Sequence, residues 1–383
     1  MEFKAVIGAN YGDEGKGMVC EALCRSSRKP VVVMTNGGCQ RGHTVDMPGC
    51  RHVFHHFGSG TMLGVPTYFP ASYLMNPMKY VEEYTECEAA GFRPVCMRSP
   101  RCLMQVPSDI LINRVLESSR ADRHGSVGWG IWEAVLRARE GWGVSVEEFS
   151  RLSLCARKSL CREIMSKFTE KRLFGSGVKM DDGLYLRMRS TMDSDGFLEH
   201  FSKDFDFMWK SSGVMPLDDL LCGDFSAAVF ENSQGLLLDC GYSGDMIHST
   251  PSSVGMNGVV ECLKADGLQF EDISVGAEFT TYYVSRTYLT RHGTGPFREE
   301  ITSAGFADAT NMENDWQGKL RFGRFDSESC GNLLDRIKKD AGVFPNTNPK
   351  LVLTHCDEVH PPEFLAARAD EFLFGKYPET GIF

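Results

Sequence analysis

Several things are missing from this 383-residue sequence, and each absence removes a class of function. Basic residues are in deficit, 41 Lys and Arg against 51 Asp and Glu, for a net charge of −10. A general nucleic-acid binder needs a basic face and is excluded, whereas a local basic pocket for a mononucleotide is not. No apolar run is long enough to span a bilayer, and the charged start at Glu2 and Lys4 is unlike a secretion signal. The 14 cysteines form no Cys-x-x-Cys pair; they scatter through apolar runs, and Cys20 and Cys24 stand at a helical spacing that suits core packing. A reduced, cytoplasmic protein without a structural zinc site is therefore expected. Internal repeats, low-complexity tracts and a Pro/Ser/Gly-rich linker between two halves are all lacking.

What is present is an apolar fraction of 42%, ample for a large core. Short β-rich runs such as Val31–Met34 and Leu351–Thr354 alternate with amphipathic stretches and lack a two-residue period. Strands covered on both faces read this way, which predicts an α/β fold with a large, mostly parallel central sheet flanked by helices. The stretch 133–220 reads as a helical excursion that caps the sheet or carries a subunit contact.

The most informative segment is the start, Phe3–Met18, FKAVIGANYGDEGKGM. An apolar run that reads as a buried strand breaks at Gly8 into a glycine-rich loop and then enters the helix-like MVCEALC. In an α/β fold, bare backbone N–H groups, a helix N-terminus and Lys16 would converge there on an anion. A Walker A loop would need glycine at Asn10 and a hydroxyl at Gly17, so the cradle is of another kind. An acid beside a phosphate repels it. Asp13 therefore reads as a metal ligand or as a base working next to that phosphate.

The segment Gly12-Asp-Glu-Gly-Lys-Gly17 resembles the N-terminal signature of the adenylosuccinate synthetases, and further motifs follow in that family's order. Asn36-Gly-Gly-Cys-Gln-Arg-Gly-His-Thr44 is similar to the family's GGHNAGHT segment; Gly42, His43 and Thr44 match, while Cys39, Gln40 and Arg41 depart. Gly58-Ser-Gly60 and Phe69–Tyr73 resemble segments that follow, with His55 and His56 beside them read as structural. Gly125-Ser-Val-Gly-Trp-Gly130 falls where the family has GTTGRG; Ser126 keeps a hydroxyl and Trp129 replaces an arginine. Phe230–Asp239 resembles FEGAQGxLLD and sets Gln234 at a strand end, and His248–Ser253 resembles a hydroxyl-rich VTSS segment that offers Ser249 and Thr250.

Thr290-Arg-His-Gly-Thr-Gly-Pro-Phe297 closely resembles TRVGAGPF. Trp316–Gly323 falls where the family has TTGRxRxxG: Gly318 and Arg321 match, Lys319 stands for an arginine, and Trp316-Gln317 replace two threonines. Leu351–Glu358 resembles a strand ending in LTKLD, with His355 for the lysine and Asp357 on the aspartate. Gly375–Gly381 is weakly similar to a terminal nucleotide segment.

The resemblance implies one adenylosuccinate synthetase-like domain over residues 1–383, related to the P-loop NTPases. It implies a carbon–nitrogen ligase that uses GTP and Mg2+ to phosphorylate the 6-oxo group of IMP and lets L-aspartate displace the phosphate, as a homodimer. Two alternatives stand beside it: the same chemistry on dGMP, giving 2-amino-deoxyadenylosuccinate as in some phage relatives, and an inactive GTP-binding regulator. Carried over by motif, Asp13 is the base and, with the Gly42 carbonyl, a metal ligand; His43 is the acid and Lys16 the phosphate clamp. Gly12, Glu14, Gly15, Gly17, Gly42, Thr44, Ser126, Gln234, Ser249, Thr250 and Asp357 bind nucleotide, Asp357 reading guanine through its paired donors. Gly318, Lys319 and Arg321 hold the amino acid, although lysine loses the planar fork of arginine and leaves room for a different amine. Arg137 and Arg139 are candidates for an arginine lent across the dimer, or lie on a solvated helix face.

Overall fold

A computed structural model describes residues 1–120, 124–269, 277–302 and 318–375. Among the described residues nine strands build the main sheet: β1 (Glu2–Gly8), β2 (Pro30–Met34), β3 (Thr67–Phe69), β4 (Cys96–Arg98), β5 (Ser212–Val214), β6 (Ala227–Gly235), β7 (Phe279–Arg286), β8 (Thr347–Thr354) and β9 (Glu371–Phe372). Their order is β9-β8-β7-β1-β6-β2-β3-β4-β5, and every pairing is parallel.

The missing two-residue period now has its cause. Along β1, Val6 enters the core on one face of the sheet, while Ala5 and Ile7 enter the core on the other. Val32 and Met34 of β2 likewise oppose Val31 and Val33, and all four are fully buried. Burying each valine contributes roughly 1.5–3 kcal/mol, so both faces must be apolar and covered. Helices do the covering. Helix α1 (Lys16–Ser26) packs on one face, and the helices Gly255–Ala265 and Ser327–Ala341 pack on the other.

Between Ile131 and Leu221 the chain is largely helical. Ser153, Asp181 and Ser194 start three of these helices by accepting a hydrogen bond from a backbone N–H in the first turn, which satisfies a donor that the helix itself cannot. The helix Asp195–Ser211 packs on the helix Pro77–Ala89 and delivers the chain to β5 at the sheet edge. Among the described residues no helix is long and apolar enough to cross a membrane.

The sheet order places β1 in the middle, with β6 and β2 on one side and β7 and β8 on the other. In a parallel sheet of this kind ligands bind beyond the carboxyl ends of the strands, at such a reversal. Gly8, Met34, Gly235, Arg286 and Thr354 are the ends that face there.

Candidate active site

The loop after β1 is built from the inside by one acid. Glu14 is 2% exposed; its carboxylate accepts from the N–H groups of Asn10 (3.0 Å) and Gly12 (2.7 Å) and pairs with Lys16 Nζ at 2.9 Å. Glu14 is therefore turned away from any nucleotide, because its lone pairs are needed by the loop that bends over it. This corrects its expected role as a binding side chain. Gly15, at φ 88°, is the N-cap of α1 and brings no side-chain cap, so the first N–H groups of that helix remain for an anion.

Asp13 has φ 60°, a left-handed conformation that a non-glycine residue adopts only under constraint. The constraint comes from two neighbouring strands: Arg286 Nε, at the end of β7, donates to the Asp13 carbonyl, and Thr290 Oγ1, on the strand Leu289–His292, donates to the Gly12 carbonyl at 3.3 Å. The carboxylate faces a cavity of about 730 Å3. Gly12, Asp13, Gly15, Lys16, Gly17, Gly42, His43, Thr44, Ser126, Gln234, Ser249 and Thr250 all line that cavity, although they come from five separate stretches of sequence.

Two glycines make this convergence possible. A Cβ on Gly17 would stand 2.7 Å from the Thr44 carbonyl, so α1 can lie against His43-Thr44 only without one. A Cβ on Gly235 would stand 2.3 Å from the Asn10 carbonyl and 2.5 Å from the Gly12 N, where β6 presses its end against the loop.

His43 is held by a residue that lies inside the Phe230–Asp239 motif, where the resemblance gives a role to Gln234 alone. Glu231 on β6, fully buried, accepts from His43 Nδ1 at 2.5 Å, from the backbone N and Oγ of Ser59 at 3.0 and 2.5 Å, and faces Arg41 NH1 at 3.3 Å. Burial alone would raise the Glu231 pKa; Arg41, His43 and Ser59 outweigh it and hold the carboxyl well below the usual carboxylate range. Burial lowers His43 from 6.5 to about 4, against the opposing pull of Glu231. His43 is thus a neutral imidazole with its proton toward Glu231 and its Nε2 left without a partner among the described residues.

Arg41, which departs from the family pattern, is the other half of this buried pair. Its guanidinium donates to the carbonyls of His55 (3.3 Å) and Phe57 as well. The clue to Glu231 was available: it is the one acid in the otherwise uncharged run AAVFENSQG.

The remaining expectations divide. Ser126 exchanges hydrogen bonds with Asn113 at 3.0 and 3.2 Å, and its loop is fixed by Glu117, which accepts from the Gly125 N at 2.7 Å. Trp129 lines the cavity between Lys79 and Arg114, whose charges lie 5.5 and 5.8 Å from its ring. His56 is structural, as expected: its Nε2 accepts from the Asn76 N at 3.1 Å inside a cluster of Phe57, Phe69 and Tyr80. His55 instead lines the cavity.

Asp357 is exposed and does not line the cavity; His355, at φ 55°, and Glu358 do. The left-handed turn at the strand end sends the aspartate outward. Gly318, Lys319 and Arg321 also stand apart from the cavity. Arg321 donates to the carbonyls of Gly293 (3.1 Å) and Gly295 (2.9 Å) and pairs with Glu300, so its fork is consumed in holding the Gly293–Gly295 turn. Lys319 is exposed. Trp316, Gln317 and most of the 375–381 segment lie outside the described residues. Arg137 is 1% exposed and pairs with Asp109 through two bonds of 2.8 and 2.9 Å, which rules out both a solvated face and a loan to a neighbour. Arg139 remains exposed. Among the described residues no three His, Cys, Asp or Glu side chains converge in a metal-binding group.

A helix N-terminus without a side-chain cap, a lysine, a cavity-lining acid and an acid-backed histidine therefore share one cavity. The adenylosuccinate synthetase family model matches residues 5–357 of the chain. The chain belongs to that family.

It is 25% identical over 300 residues to the adenylosuccinate synthetase of Francisella tularensis subsp. mediasiatica, a match covering 77% of this chain and 65% of that protein. It is 24% identical over 320 residues to the Methylococcus capsulatus synthetase, covering 78% and 65%. The match thus spans just under two thirds of the length of these curated relatives. Among solved structures, the fully ligated synthetase of Plasmodium falciparum superposes with a TM-score of 0.69 at 18% identity, covering 93% of this chain and 77% of that one. Cyanophage S-2L succinoaminodeoxyadenylate synthetase, bound to dGMP and to dATP as an energy donor, gives 0.61 at 13% identity, covering 99% and 94%. Both likenesses establish the fold.

Proposed function

We propose that the chain is a purine nucleotide ligase. It transfers the γ-phosphoryl group of a nucleoside triphosphate, GTP by family likeness, to O6 of a 6-oxopurine monophosphate, IMP or dGMP. The amine of L-aspartate then displaces the phosphate at C6. The observation that carries this reading is the convergence of Asp13, Lys16 and the Glu231-backed His43 on one cavity.

A purine 6-oxo group is a poor leaving group. Asp13 would take the N1 proton and make O6 nucleophilic. Lys16 and the uncapped N-terminus of α1 would hold the phosphates of the donor. His43 starts neutral. The anionic phosphoryl group arriving at its free Nε2 would favour uptake of a proton from solvent there, and the resulting imidazolium donates to the transferring oxygens and offsets their charge. Ser249, Thr250 and Gln234 supply neutral donors for the acceptor nucleotide, while Ser126, whose hydroxyl donates to Asn113, holds its loop at the cavity wall.

Mg2+ fits the donor set, since Asp13 and Gly42 both line the cavity and a carboxylate and a backbone carbonyl are the oxygen donors it takes, with nucleotide phosphates to complete the shell. When bound, it would neutralise phosphate charge. Substrates of this kind belong to the cytoplasmic nucleotide pool, and a homodimer is the assembly expected from the family.

The test is product formation followed by mass spectrometry. Full-length protein with Mg2+ and GTP would be offered IMP or dGMP, each with L-aspartate or with mixed amino acids. A succinyl adduct of either nucleotide supports the ligase and identifies its acceptor. An adduct with another amino acid replaces aspartate as the amine. Binding of GTP with no adduct in any mixture would sink the reading in favour of a nucleotide-binding regulator.

A further inference from the structure

A nucleotide acceptor brings the cavity a second anion, its 5′-phosphate, besides the phosphates of the donor. The wall has little charge left for it. Among the described residues Arg41, Arg51, Arg120, Arg172, Arg286 and Arg291 line the cavity, and each stands within 4.0 Å of a carboxylate. Lys16 pairs with Glu14 at 2.9 Å and serves the donor. Further positive charge has to come from a group that acquires it, and histidine is the side chain that does so near neutral pH.

His248 is such a group, and it stands where the VTSS pattern has its valine. It closes a turn folded around one acid. Asp245 Oδ1 accepts from the backbone N of Ile247 at 2.9 Å and of His248 at 3.1 Å, and Oδ2 accepts from His248 Nδ1 at 2.9 Å. Burial alone would raise the Asp245 pKa; the N–H groups of His248 and Ile247 and the His248 ring outweigh it, so the acid is a carboxylate. Nδ1 therefore carries a proton. The open nitrogen is Nε2, which has no hydrogen-bond partner among the described residues. The same carboxylate faces Arg291 Nη2 at 3.8 Å, so its charge is already offset, and a second proton on His248 leaves the three groups net positive. Gly295 permits this packing, since a Cβ there would stand 3.0 Å from His248 Cγ and 2.3 Å from Arg291 Nη2.

His248 lines the cavity together with the next two residues, Ser249 and Thr250. His124 faces the same corner, its ring edge-on at 6.2 Å from that of His248. Burial and the charge of Arg120 lower the His124 pKa against the pull of Glu117, so His124 stays neutral and leaves the proton to His248. Asp13 and His43 fix where O6 reacts, and the 5′-phosphate is the opposite end of a purine nucleotide.

We propose that His248, held by Asp245, is the residue that selects a phosphorylated acceptor: its Nε2, protonated from solvent, donates to the 5′-phosphate dianion alongside the hydroxyls of Ser249 and Thr250. The inference rests on the ligase reading for the presence of an acceptor nucleotide, and deepens it by naming what distinguishes that nucleotide from its nucleoside. A hydrogen bond between two charged groups is about twice as strong as one between neutral groups, and this one forms only when the dianion is present. A valine would offer the phosphate neither proton nor charge. Asp245 is a positioning residue that keeps Nδ1 protonated and fixes the direction of the ring.

The test uses the full-length protein with IMP or dGMP, without GTP or amine, by titration calorimetry and by phosphorus-31 NMR of the bound nucleotide. A free phosphate monoester loses its second proton near about pH 6, and in the wild type the bound phosphate is expected to stay dianionic well below that pH. His248→Val should weaken the nucleotide roughly 10- to 150-fold, the range for a hydrogen bond to a charged group, and leave the parent nucleoside unaffected in competition experiments. It should also return the titration of the bound phosphate toward that of the free nucleotide. His248→Gln keeps a neutral donor and should recover part of the affinity without restoring the low titration. It serves as the second variant should the valine protein fail to fold, checked by its melting temperature. Unchanged nucleotide affinity in the variants, or a loss shared equally by the nucleoside, would overturn the proposal and leave the ligase reading untouched. A wild type that binds neither IMP nor dGMP would instead count against both.

Discussion

Replacing Glu231 by glutamine keeps the shape of the side chain and removes its charge, so it isolates what that charge does. Glu231 is completely enclosed and serves His43, both donors of Ser59, and Arg41. An amide has one acceptor oxygen and turns an NH2 group toward neighbours that are all donors. The Arg41 guanidinium would be left as a buried charge without its counter-ion, and breaking such a pair costs about 3–5 kcal/mol. Denaturant unfolding of Glu231→Gln, Arg41→Leu and the double variant Arg41→Leu/Glu231→Gln should show each single change costing this much and the double change costing far less than their sum. A coupling of about 2 kcal/mol or more is expected. In the same proteins kcat for ligation should fall by about 10²–10⁴ in Glu231→Gln, because the His43 ring loses the partner that fixes its tautomer and direction. Singles costing under about 1 kcal/mol, or strictly additive losses, would refute the reasoning that this is one coupled charge network.

Other consequences are equally specific. Burial lowers His56 from 6.5 to about 4, so between those pH values the unfolded chain binds a proton that the folded chain refuses. Stability should therefore fall as pH drops from about 6.5 to about 4, by roughly 3 kcal/mol from this group, and His56→Gln should flatten the fall in a pH series of unfolding curves. Gly17→Ala should separate α1 from His43-Thr44, since the new methyl would stand 2.7 Å from a carbonyl oxygen. Steady-state kinetics should show a loss of kcat larger than the accompanying destabilisation of about 1–3 kcal/mol explains. Arg321→Ala should cost roughly 1–3 kcal/mol in unfolding, through the lost bonds to Gly293 and Gly295, with the KM for the amine unchanged. A raised KM at full stability would restore Arg321 to the amino-acid site.

Much of this molecule could be read from its residues, for identifiable reasons. Parallel strands buried on both faces leave continuous apolar runs, so Val31–Met34 and Leu351–Thr354 betrayed the sheet by composition alone. The phosphate loop was legible because glycine, lysine and an acid at close spacing, between a strand and a helix, suit an anion cradle and little else. What escaped was what depends on where a side chain turns. Glu14 and Asp13 are neighbours in sequence, yet Glu14 faces the interior of the loop and Asp13 the cavity, and only the left-handed turn at Asp13 decides which. Arg137 resembles any basic residue on a helix until its burial against Asp109 is seen. Glu231 lies 188 residues from His43, and no local pattern announces a pairing made across β6. Asp357 fell on a family position, but the backbone turn at His355 delivers a different side chain to the cavity.

The central claim is that Asp13 and His43 activate a purine O6 toward a phosphoryl group, and oxygen-18 follows that atom directly. The acceptor nucleotide would be labelled at O6, incubated with protein, GTP, divalent metal and L-aspartate, and the released phosphate examined by mass spectrometry. If O6 is phosphorylated and then displaced, the label must leave in the phosphate, and Asp13→Asn must stop its transfer while GTP still binds. Unlabelled phosphate, released by hydrolysis of GTP while the nucleotide keeps its oxygen, would contradict the account.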